Sequence, residues 1–226
     1  MTGHLHPLTT TAELVVGYFK PLGFEIVLGP EAESEEYNFD KLRVFADHPA
    51  RDEHDTFYLL DGRVLRTHTS NMQLRAMESR KPPVRLLSIG RCYRNEATDS
   101  GHNTTFHQVE ALVIGEDITF QHLIGTLKEM MKHLIGESLE FRIRPGYFPF
   151  VEPGIELDFR KKGGQWQEIL GAGMVHPEVL GNMKIDPKKY TGFAFGMGLE
   201  RLLGVMTGID DVRLPLSGDY RLLTQF

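Results

Sequence analysis

The chain has 226 residues, of which 41% are hydrophobic and 25% are charged, and its formal net charge is −6 at pH 7. This length and composition indicate a folded globular protein, and the negative charge provides no general basic surface for binding nucleic acid. The single cysteine, Cys92, excludes a disulfide framework, and the absence of a signal-peptide pattern or a membrane-length apolar run predicts a cytoplasmic protein.

The N-terminal part of the chain predicts two helices, a strand and a hairpin. The capping-box spacing of Thr10 and Glu13 predicts the start of a helix, and a strand is predicted over 24–28. Asp61-Gly62 lies between two apolar runs, which is a strong hairpin signal. A short helix is predicted over about 70–78.

The remainder of the chain predicts a series of strands with few helices between them. Helices are predicted over 119–136, where Thr119 caps the first turn, and over 199–206. The predicted strands are 84–94, 106–114, 139–143, 155–159, 166–170 and 193–198. Because most of these strands are joined directly by turns and loops, we expect an α+β fold with a mainly antiparallel sheet flanked by helices, and we expect 1–226 to form a single domain.

The first candidate site combines an arginine with one face of a strand. Strand alternation places Phe106, Gln108 and Glu110 on the same face, and Arg94 lies on the paired strand. An arginine there can bind a phosphate through two hydrogen bonds. Taken alone, these residues are better explained by a solvent-facing strand with an incidental Arg–Glu pair, because exposed charge pairs are common and weak.

A second candidate is the sequence Gly196-Met-Gly198-Leu-Glu200-Arg201 at a strand-to-helix junction. It is neither a P-loop nor a dinucleotide fingerprint, because Arg201 occupies the position of the third glycine. The two glycines let the backbone approach another group closely, and the guanidinium of Arg201 can lie beside that point. A tight turn with a capping carboxylate is the alternative.

Two further segments carry candidate ligand-binding side chains. Two prolines are expected to hold 147–154 extended, with Phe148 and Phe150 on one face and Glu152 available to a metal or an amine. His68 and Ser70, at a strand end leading into a helix, suit helix capping or the binding of an ammonium or carboxylate group. For the rings of Phe148 and Phe150, packing into the core is the alternative.

Together these segments resemble the three signature motifs of class II aminoacyl-tRNA synthetases. Gly29-Pro30-Glu31 resembles motif one, Arg94 to Phe106 motif two, and Gly196 to Arg201 motif three. The intervening stretches resemble the alpha subunits of phenylalanyl-tRNA synthetases. Those stretches are Tyr37-Asn-Phe-Asp40, Asp47-His-Pro-Ala-Arg51, Asp55-Thr-Phe57, Leu65-Arg-Thr-His-Thr-Ser70, Phe106-His-Gln-Val-Glu110, Tyr147-Phe-Pro-Phe150-Val-Glu-Pro153, Gly171-Ala-Gly-Met-Val-His-Pro177, Gly192-Phe-Ala-Phe-Gly196 and Gln225-Phe226.

The resemblance implies an ATP site with two catalytic arginines. Arg94 is expected to hold the α-phosphate, and Glu96 to contact the adenine. Phe106 is expected to stack on one adenine face, and Arg201 to cover the other face and reach the γ-phosphate.

The resemblance also implies an amino-acid site and a metal. Glu152 matches a magnesium-associated position of the family. The amino-acid-binding positions fall on His68, Ser70, Gln108, Glu110, Phe148, Phe150 and Ala194.

The activity implied by the resemblance is ATP-dependent activation of phenylalanine and its transfer to tRNA(Phe). The implied partners are phenylalanine, ATP, magnesium, tRNA(Phe) and a beta subunit, in a dimer formed through motif one or in a heterotetramer. Since the resemblance starts near His4, we expect a class II catalytic core without the N-terminal helical arm of bacterial alpha subunits. The alternatives are a stand-alone paralogue that activates an amino acid without charging tRNA, and a non-catalytic paralogue.

Overall fold

The fold is built on one large β-sheet with helices on both faces, seen in a computed structural model that describes residues 3–52, 55–136 and 139–225. The strands are β1 (Glu25–Val27), β2 (Ala32–Glu33), β3 (Val64–Leu65), β4 (Val84–Tyr93), β5 (Thr105–Gly115), β6 (Leu139–Phe148), β7 (Val151–Lys161), β8 (Gln167–Val175) and β9 (Thr191–Gly198). The α-helices are α1 (Pro7–Phe19), α2 (Glu35–Asn38), α3 (Ser70–Met77), α4 (Phe120–Ile135), α5 (Pro177–Asn182), α6 (Leu199–Thr207) and α7 (Tyr220–Leu223). Phe226, part of the last resembling stretch, lies outside the described residues.

Within the described residues, seven strands form the main sheet in the order β1-β4-β5-β9-β8-β7-β6. The predicted mainly antiparallel sheet is confirmed, because every neighbouring pair is antiparallel except β1 and β4, which run parallel. β2 and β3 form a separate small antiparallel pair. The order places β5, β9 and β8 side by side in the middle of the sheet.

The two faces of the sheet have different coverings because side chains alternate along each strand. Ala111 and Phe195 point to the back face, where they pack against buried residues of α1, α4 and α6. Leu112 and Ala194 belong to the front cluster, which includes buried residues of α3 and α5. The front face is therefore only partly covered by helices, and the uncovered part contains the candidate site.

The first helix begins earlier than the sequence predicted. His6 caps α1 by accepting a hydrogen bond from the Leu8 amide at its Nδ1 (3.2 Å), and Pro7 occupies the first turn. The predicted start at Thr10 was therefore wrong. Pro7 is compatible with the first turn of the helix, because the N–H that proline lacks would have no helical partner there. The predicted cap of α4 is confirmed, since the Thr119 hydroxyl accepts from the His122 amide.

The Asp61-Gly62 turn is confirmed, but the strands that flank it are short. The Leu59 amide donates to the Arg63 carbonyl at 2.8 Å, and Gly62 adopts the left-handed conformation with φ 83°. The second arm of the turn, β3, pairs mainly with β2, which leaves a single bridge between Tyr58 and Val64 across the turn.

The segment 147–154 is a hairpin connection rather than one extended stretch. β6 ends at Phe148 and β7 begins at Val151, so Pro149 and Phe150 form the turn between them. Proline fits a turn because its φ is already fixed near the required value. Phe148 and Phe150 still lie together, with ring centroids 6.0 Å apart.

None of the helices in the described ranges has both the length and the apolar sequence needed to cross a membrane.

Candidate active site

A cavity of about 610 Å³ opens on the front face of the sheet, above β5, β9 and β8. Every predicted site residue except Glu152 lines it, although these residues come from distant parts of the chain. The predicted residues in its lining are His68, Ser70, Arg94, Glu96, Phe106, Gln108, Glu110, Phe148, Phe150, Ala194 and Arg201.

The floor of the cavity includes the predicted polar face of β5. Phe106, Gln108 and Glu110 all line it, as strand alternation requires. Glu110 is only 3% exposed, and it accepts hydrogen bonds from the Thr69 hydroxyl (3.1 Å) and the Gln108 amide (3.4 Å). Burial raises the pKa of Glu110 to about 7, although hydrogen bonds from Ser70 and Thr69 oppose the rise. A carboxylate held this way can bind an ammonium group, which would replace its missing counter-ion.

His68 lines the same cavity and lies on the segment that leads into α3. Its Nε2 is 2.9 Å from the carbonyl oxygen of Asn38, which can only accept a hydrogen bond, so Nε2 carries the proton. The other ring nitrogen, Nδ1, is buried and has no hydrogen-bond partner among the described residues. Burial and the nearby positive charge of Arg94 lower the pKa of His68 to about 4, so the ring is neutral at physiological pH.

Asn38, at the end of α2, holds this segment in place. Its side-chain nitrogen donates to the Thr67 hydroxyl (3.1 Å), and its side-chain oxygen accepts from the Thr67 amide and from Asn71 Nδ2 (both 3.3 Å). Asn38 is fully buried. Asn38 is not among the predicted site residues and occurs only within the resembling stretch Tyr37-Asn-Phe-Asp40, because a structural asparagine has no distinctive spacing.

Two arginines lie toward the more open side of the cavity. The guanidinium carbon of Arg94 lies 5.0 Å from the centroid of the Phe106 ring. Arg201 Nη1 donates to the backbone carbonyl of Glu168 at 3.1 Å and lies 3.8 Å from the Glu168 carboxylate. An aromatic face with one guanidinium beside it, and a second guanidinium in the lining of the same cavity, form a suitable site for an anionic ligand with a flat ring.

Glu200 fixes the helix that carries Arg201. Its buried carboxylate accepts from the His107 backbone amide (2.9 and 3.0 Å) and lies 2.7 Å from His107 Nδ1. Glu200 therefore binds the β5 backbone and does not cap the end of its own helix. Through this link, α6 and the Phe106 strand keep a fixed relative position.

The remaining wall of the cavity is formed by two aromatic rings and by a residue with a small side chain. Phe148 and Phe150 stack with an interplanar angle of 28°, and the Phe150 ring lies 6.2 Å from that of His68. Ala194 lies on β9 opposite Gly173 of β8, where a small side chain leaves space above the sheet.

Glu152 lies apart from the cavity. Its side chain is 76% exposed, and its carboxylate is 3.4 Å from His176 Nε2. The magnesium role expected for Glu152 therefore remains a prediction for a surface position.

Thr69 and Gly171 also belong to the site, although neither is among the predicted site residues. The Thr69 hydroxyl bonds to Glu110, and Gly171 lies in the cavity floor on β8. Gly171 was visible only within a resembling stretch, since a glycine in a strand does not reveal which side chain packs on it.

Comparison with protein families and curated proteins identifies close relatives. The family model of the tRNA synthetases class II core domain (F) matches residues 1–226. The phenylalanine–tRNA ligase alpha subunit of Proteus mirabilis is 49% identical over 224 residues, which cover 99% of this chain and 68% of that protein. The corresponding subunit of Alteromonas mediterranea is 50% identical over 224 residues, which again cover 99% of this chain and 68% of that protein. This chain therefore spans about two thirds of the curated relatives that it matches.

The same sheet and helices occur in solved structures of more distant sequence. A pyrrolysyl-tRNA synthetase of Desulfitobacterium hafniense matches with a TM-score of 0.71 at 22% identity, over 91% of this chain and 71% of that chain. A second structure, of the pyrrolysyl-tRNA synthetase PylSc from the same organism, matches with a TM-score of 0.69 at 20% identity and the same coverage. At this identity the likeness concerns the fold alone.

Proposed function

We propose, since this chain belongs to the family of tRNA synthetases class II core domains, that it activates phenylalanine with ATP and transfers it to tRNA(Phe). The observation that carries the proposal is one cavity in which a buried carboxylate, a pair of aromatic rings and two arginines face the same space. These groups complement an ammonium, a phenyl ring and a triphosphate. The relatives named as phenylalanine–tRNA ligase alpha subunits support this substrate.

Phenylalanine binds at the end of the cavity that contains Glu110. The ionised Glu110 carboxylate binds the ammonium group, with Gln108 and Ser70 completing the polar contacts. The phenyl ring lies against Phe148 and Phe150, where aromatic edges and faces attract one another. Ala194 limits the depth of this slot, so a larger residue there would exclude the ring.

ATP binds at the more open end. Phe106 and the Arg201 guanidinium enclose the adenine, and Glu96 accepts a hydrogen bond from its amino group. Arg94 holds the α-phosphate, which places the α-phosphorus next to the amino-acid carboxylate. Both arginines stabilise the negative charge that develops on the phosphoryl oxygens.

Activation requires no general base, because the amino-acid carboxylate is already a nucleophile. A carboxylate oxygen attacks the α-phosphorus, the bond from the α-phosphorus to the bridging oxygen breaks, and pyrophosphate leaves. Catalysis then depends on alignment and charge stabilisation. In the second step a terminal ribose hydroxyl of tRNA attacks the carbonyl carbon, AMP leaves, and a phosphate oxygen of AMP takes the hydroxyl proton.

Magnesium fits this site as an ion that arrives with ATP. In the described part of the chain, no group of three His, Cys, Asp or Glu side chains could hold a metal, and Mg²⁺ commonly takes one or two carboxylates besides phosphate oxygens and water. Glu168, which lines the cavity beside Arg201, would hold the ion there, and Glu152 remains the position expected from the family. A Mg²⁺ ion held there would neutralise phosphate charge and so favour the departure of pyrophosphate.

We further propose that residues 1–226 act as one catalytic domain, in the cytoplasm, where ATP and tRNA are available, and assemble with a beta subunit. β1 is an edge strand of the main sheet; Ile26 within it is 39% exposed, and Leu28 directly after it is 80% exposed. An open strand edge with apolar side chains is a common interface feature. The proposed contact therefore includes the segment that resembles motif one.

The test is amino-acid-dependent ATP–pyrophosphate exchange with each of the twenty amino acids, using the purified chain alone and with a beta subunit. We expect exchange with phenylalanine only. Exchange with another amino acid would overturn the phenylalanine assignment, and no exchange under either condition would contradict the proposed activity. Exchange without charging of tRNA(Phe) would identify an activating paralogue.

The Arg94→Ala variant tests the mechanism in the same assay. We expect exchange to fall by more than about 100-fold with an unchanged circular dichroism spectrum, because the developing phosphate charge loses a preorganised partner. Arg221→Ala is the matched control, since the Arg221 side chain is 90% exposed and pairs only locally with Asp219. Near-normal exchange by Arg94→Ala would remove Arg94 from this role.

A further inference from the structure

The Phe148 ring lies directly on the backbone of three neighbouring strands. It extends from β6 across β7 to β8, and glycines lie beneath it on all three strands. A Cβ atom built on Gly146 would lie 3.2 Å from Phe148 Cε2, and one on Gly154 would lie 3.4 Å from Cδ2. A Cβ on Gly171 would lie only 2.6 Å from Phe148 Cζ.

Gly171 differs from the other two glycines in what surrounds it. A Cβ on Gly146 would also meet Glu156, and one on Gly154 would meet the Gly146 carbonyl oxygen at 2.6 Å. At Gly171 the three nearest atoms, at 2.6, 3.1 and 3.2 Å, all belong to the Phe148 ring. The ring is therefore the immediate reason that a side chain is excluded at Gly171.

The backbone conformation of Gly171 does not explain the glycine. Gly171 is paired with Glu156 on one side and with Gly196 on the other, and it is not among the glycines with positive φ. Glycine in a strand interior is unfavourable because it adds backbone entropy to the unfolded chain and packs no side chain. A strand accepts it where another group approaches the backbone closely.

We propose that Gly171 is a positioning residue for amino-acid selectivity, because it sets how far the Phe148 ring projects into the substrate cavity. This inference rests on the proposed function. A methyl group at position 171 would force the ring outward by about 1 Å to restore ordinary contact distances. The ring would move into the cavity, because the sheet blocks the opposite direction, and the slot shared with Phe150 would become narrower.

A Phe148 ring that projects further should weaken the binding of phenylalanine. Phe148 and Phe150 already stack at 6.0 Å, and the outward shift takes space that the phenyl ring of the substrate would occupy. We expect Gly171→Ala to raise the KM for phenylalanine at least 10-fold and to change the KM for ATP by less than about 2-fold, since one methyl group in a tight pocket commonly costs 10- to 200-fold.

The decisive experiment is a double-mutant cycle of Gly171→Ala and Phe148→Leu in pyrophosphate exchange, with the beta subunit present. If Gly171 acts through the ring, Gly171→Ala should change the phenylalanine KM by less than 2-fold in the Phe148→Leu background. An equal effect in both backgrounds, or an equal rise in the KM for ATP, would overturn the proposal. Gly125→Ala is the matched control, because a Cβ on this helical glycine would meet nothing within 4 Å.

Urea unfolding of the same variants covers the case in which Gly171→Ala does not fold. Recovery of folding in the double variant would support the ring contact, whereas loss of folding in both would assign Gly171 to the backbone and overturn the proposal. Failure of the proposed function gives a different result, because the wild-type protein would then show no phenylalanine-dependent exchange.

Discussion

Glu110 is balanced between its protonated and ionised forms near neutral pH, because burial raises its pKa to about 7 from a usual value of 4.5. The folded protein keeps this proton over a pH range in which the unfolded chain has released it. The contribution of Glu110 to the free energy of unfolding is therefore complete below about pH 4.5 and is lost as the pH rises through about 7. In the proposed complex, the substrate ammonium would offset this loss.

Glu110→Gln separates binding from stability. We expect the KM for phenylalanine of the wild-type protein to fall as the pH rises from 6 to 8, and we expect Glu110→Gln to lose most phenylalanine binding. Without its ligand, Glu110→Gln should be more stable than the wild type at pH 8 and about equally stable at pH 5, because the amide cannot ionise. Urea unfolding at both pH values measures this difference.

The control for this prediction is Glu116→Gln, a change of the same chemistry at an exposed glutamate that pairs with Lys189. It should leave the KM for phenylalanine and its pH dependence unchanged. A pH-independent stability difference between Glu110→Gln and the wild type would contradict the raised pKa of Glu110.

At the scale of elements, the start of α3 depends on groups distant in sequence. Arg66 is buried, and its guanidinium donates to the carbonyl oxygens of Arg91 (2.7 Å), Gly29 (3.0 Å) and Pro30 (3.2 Å). It thereby joins the segment that resembles motif one to β4. Asn38 makes the corresponding connection from α2 to the segment that carries His68.

Replacing Asn38 tests whether this connection positions the amino-acid site. Asn38→Ala should raise the KM for phenylalanine about 10-fold with little change in the KM for ATP, because Thr67 and Asn71, which flank His68 and Ser70, lose the side chain that holds them, whereas the arginines lie on other segments. It should also lower the free energy of unfolding by about 1–3 kcal/mol, since buried groups of Thr67 and Asn71 lose their partner. Exchange kinetics and urea unfolding measure the two effects.

Asn182→Ala provides the comparison for Asn38→Ala, because Asn182 makes one exposed hydrogen bond to the Lys41 carbonyl. It should change neither KM and should change stability by less than about 0.5 kcal/mol. Equal rises in the phenylalanine and ATP KM values of Asn38→Ala would indicate general loosening instead of local positioning.

At the scale of the whole molecule, the charge distribution bears on tRNA binding. The net charge is −6, and several arginines near the β6 edge of the sheet are already paired. Arg142 and Arg144 both bond to Asp158, and Arg160 bonds to Glu140. These ion pairs reduce the positive charge that this edge offers to a phosphate backbone.

We therefore expect the isolated chain to bind tRNA(Phe) weakly, with a shallow dependence of affinity on salt concentration. Adding a beta subunit should increase both the affinity and the slope of log K against log[salt], because each additional phosphate contact releases counterions. Fluorescence anisotropy of labelled tRNA between 50 and 300 mM KCl measures both quantities. Tight binding with a steep salt dependence by the chain alone would contradict this expectation.

The sequence by itself determined the longer helices, most strands of the main sheet and many of the residues that face the cavity. The apolar residues of α4 repeat with helical spacing, and Phe106, Gln108 and Glu110 alternate along one strand, so local periodicity was sufficient. The quoted motifs indicated which distant segments belong to one site. The motifs did this through their resemblance to a known family. The spacing of the residues alone also allowed an incidental ion pair at the first candidate site and a tight turn at the second.

Only the tertiary structure decided which groups support the site. The bonds from Asn38 to Thr67 and Asn71, the link from Glu200 to His107, and the contact of Phe148 with Gly171 join residues 23 to 93 positions apart. The raised pKa of Glu110 depends on burial, and the exposed position of Glu152 depends on the turn after β6. Such properties follow from the packing of strands and helices against one another, which a local pattern of residues does not encode.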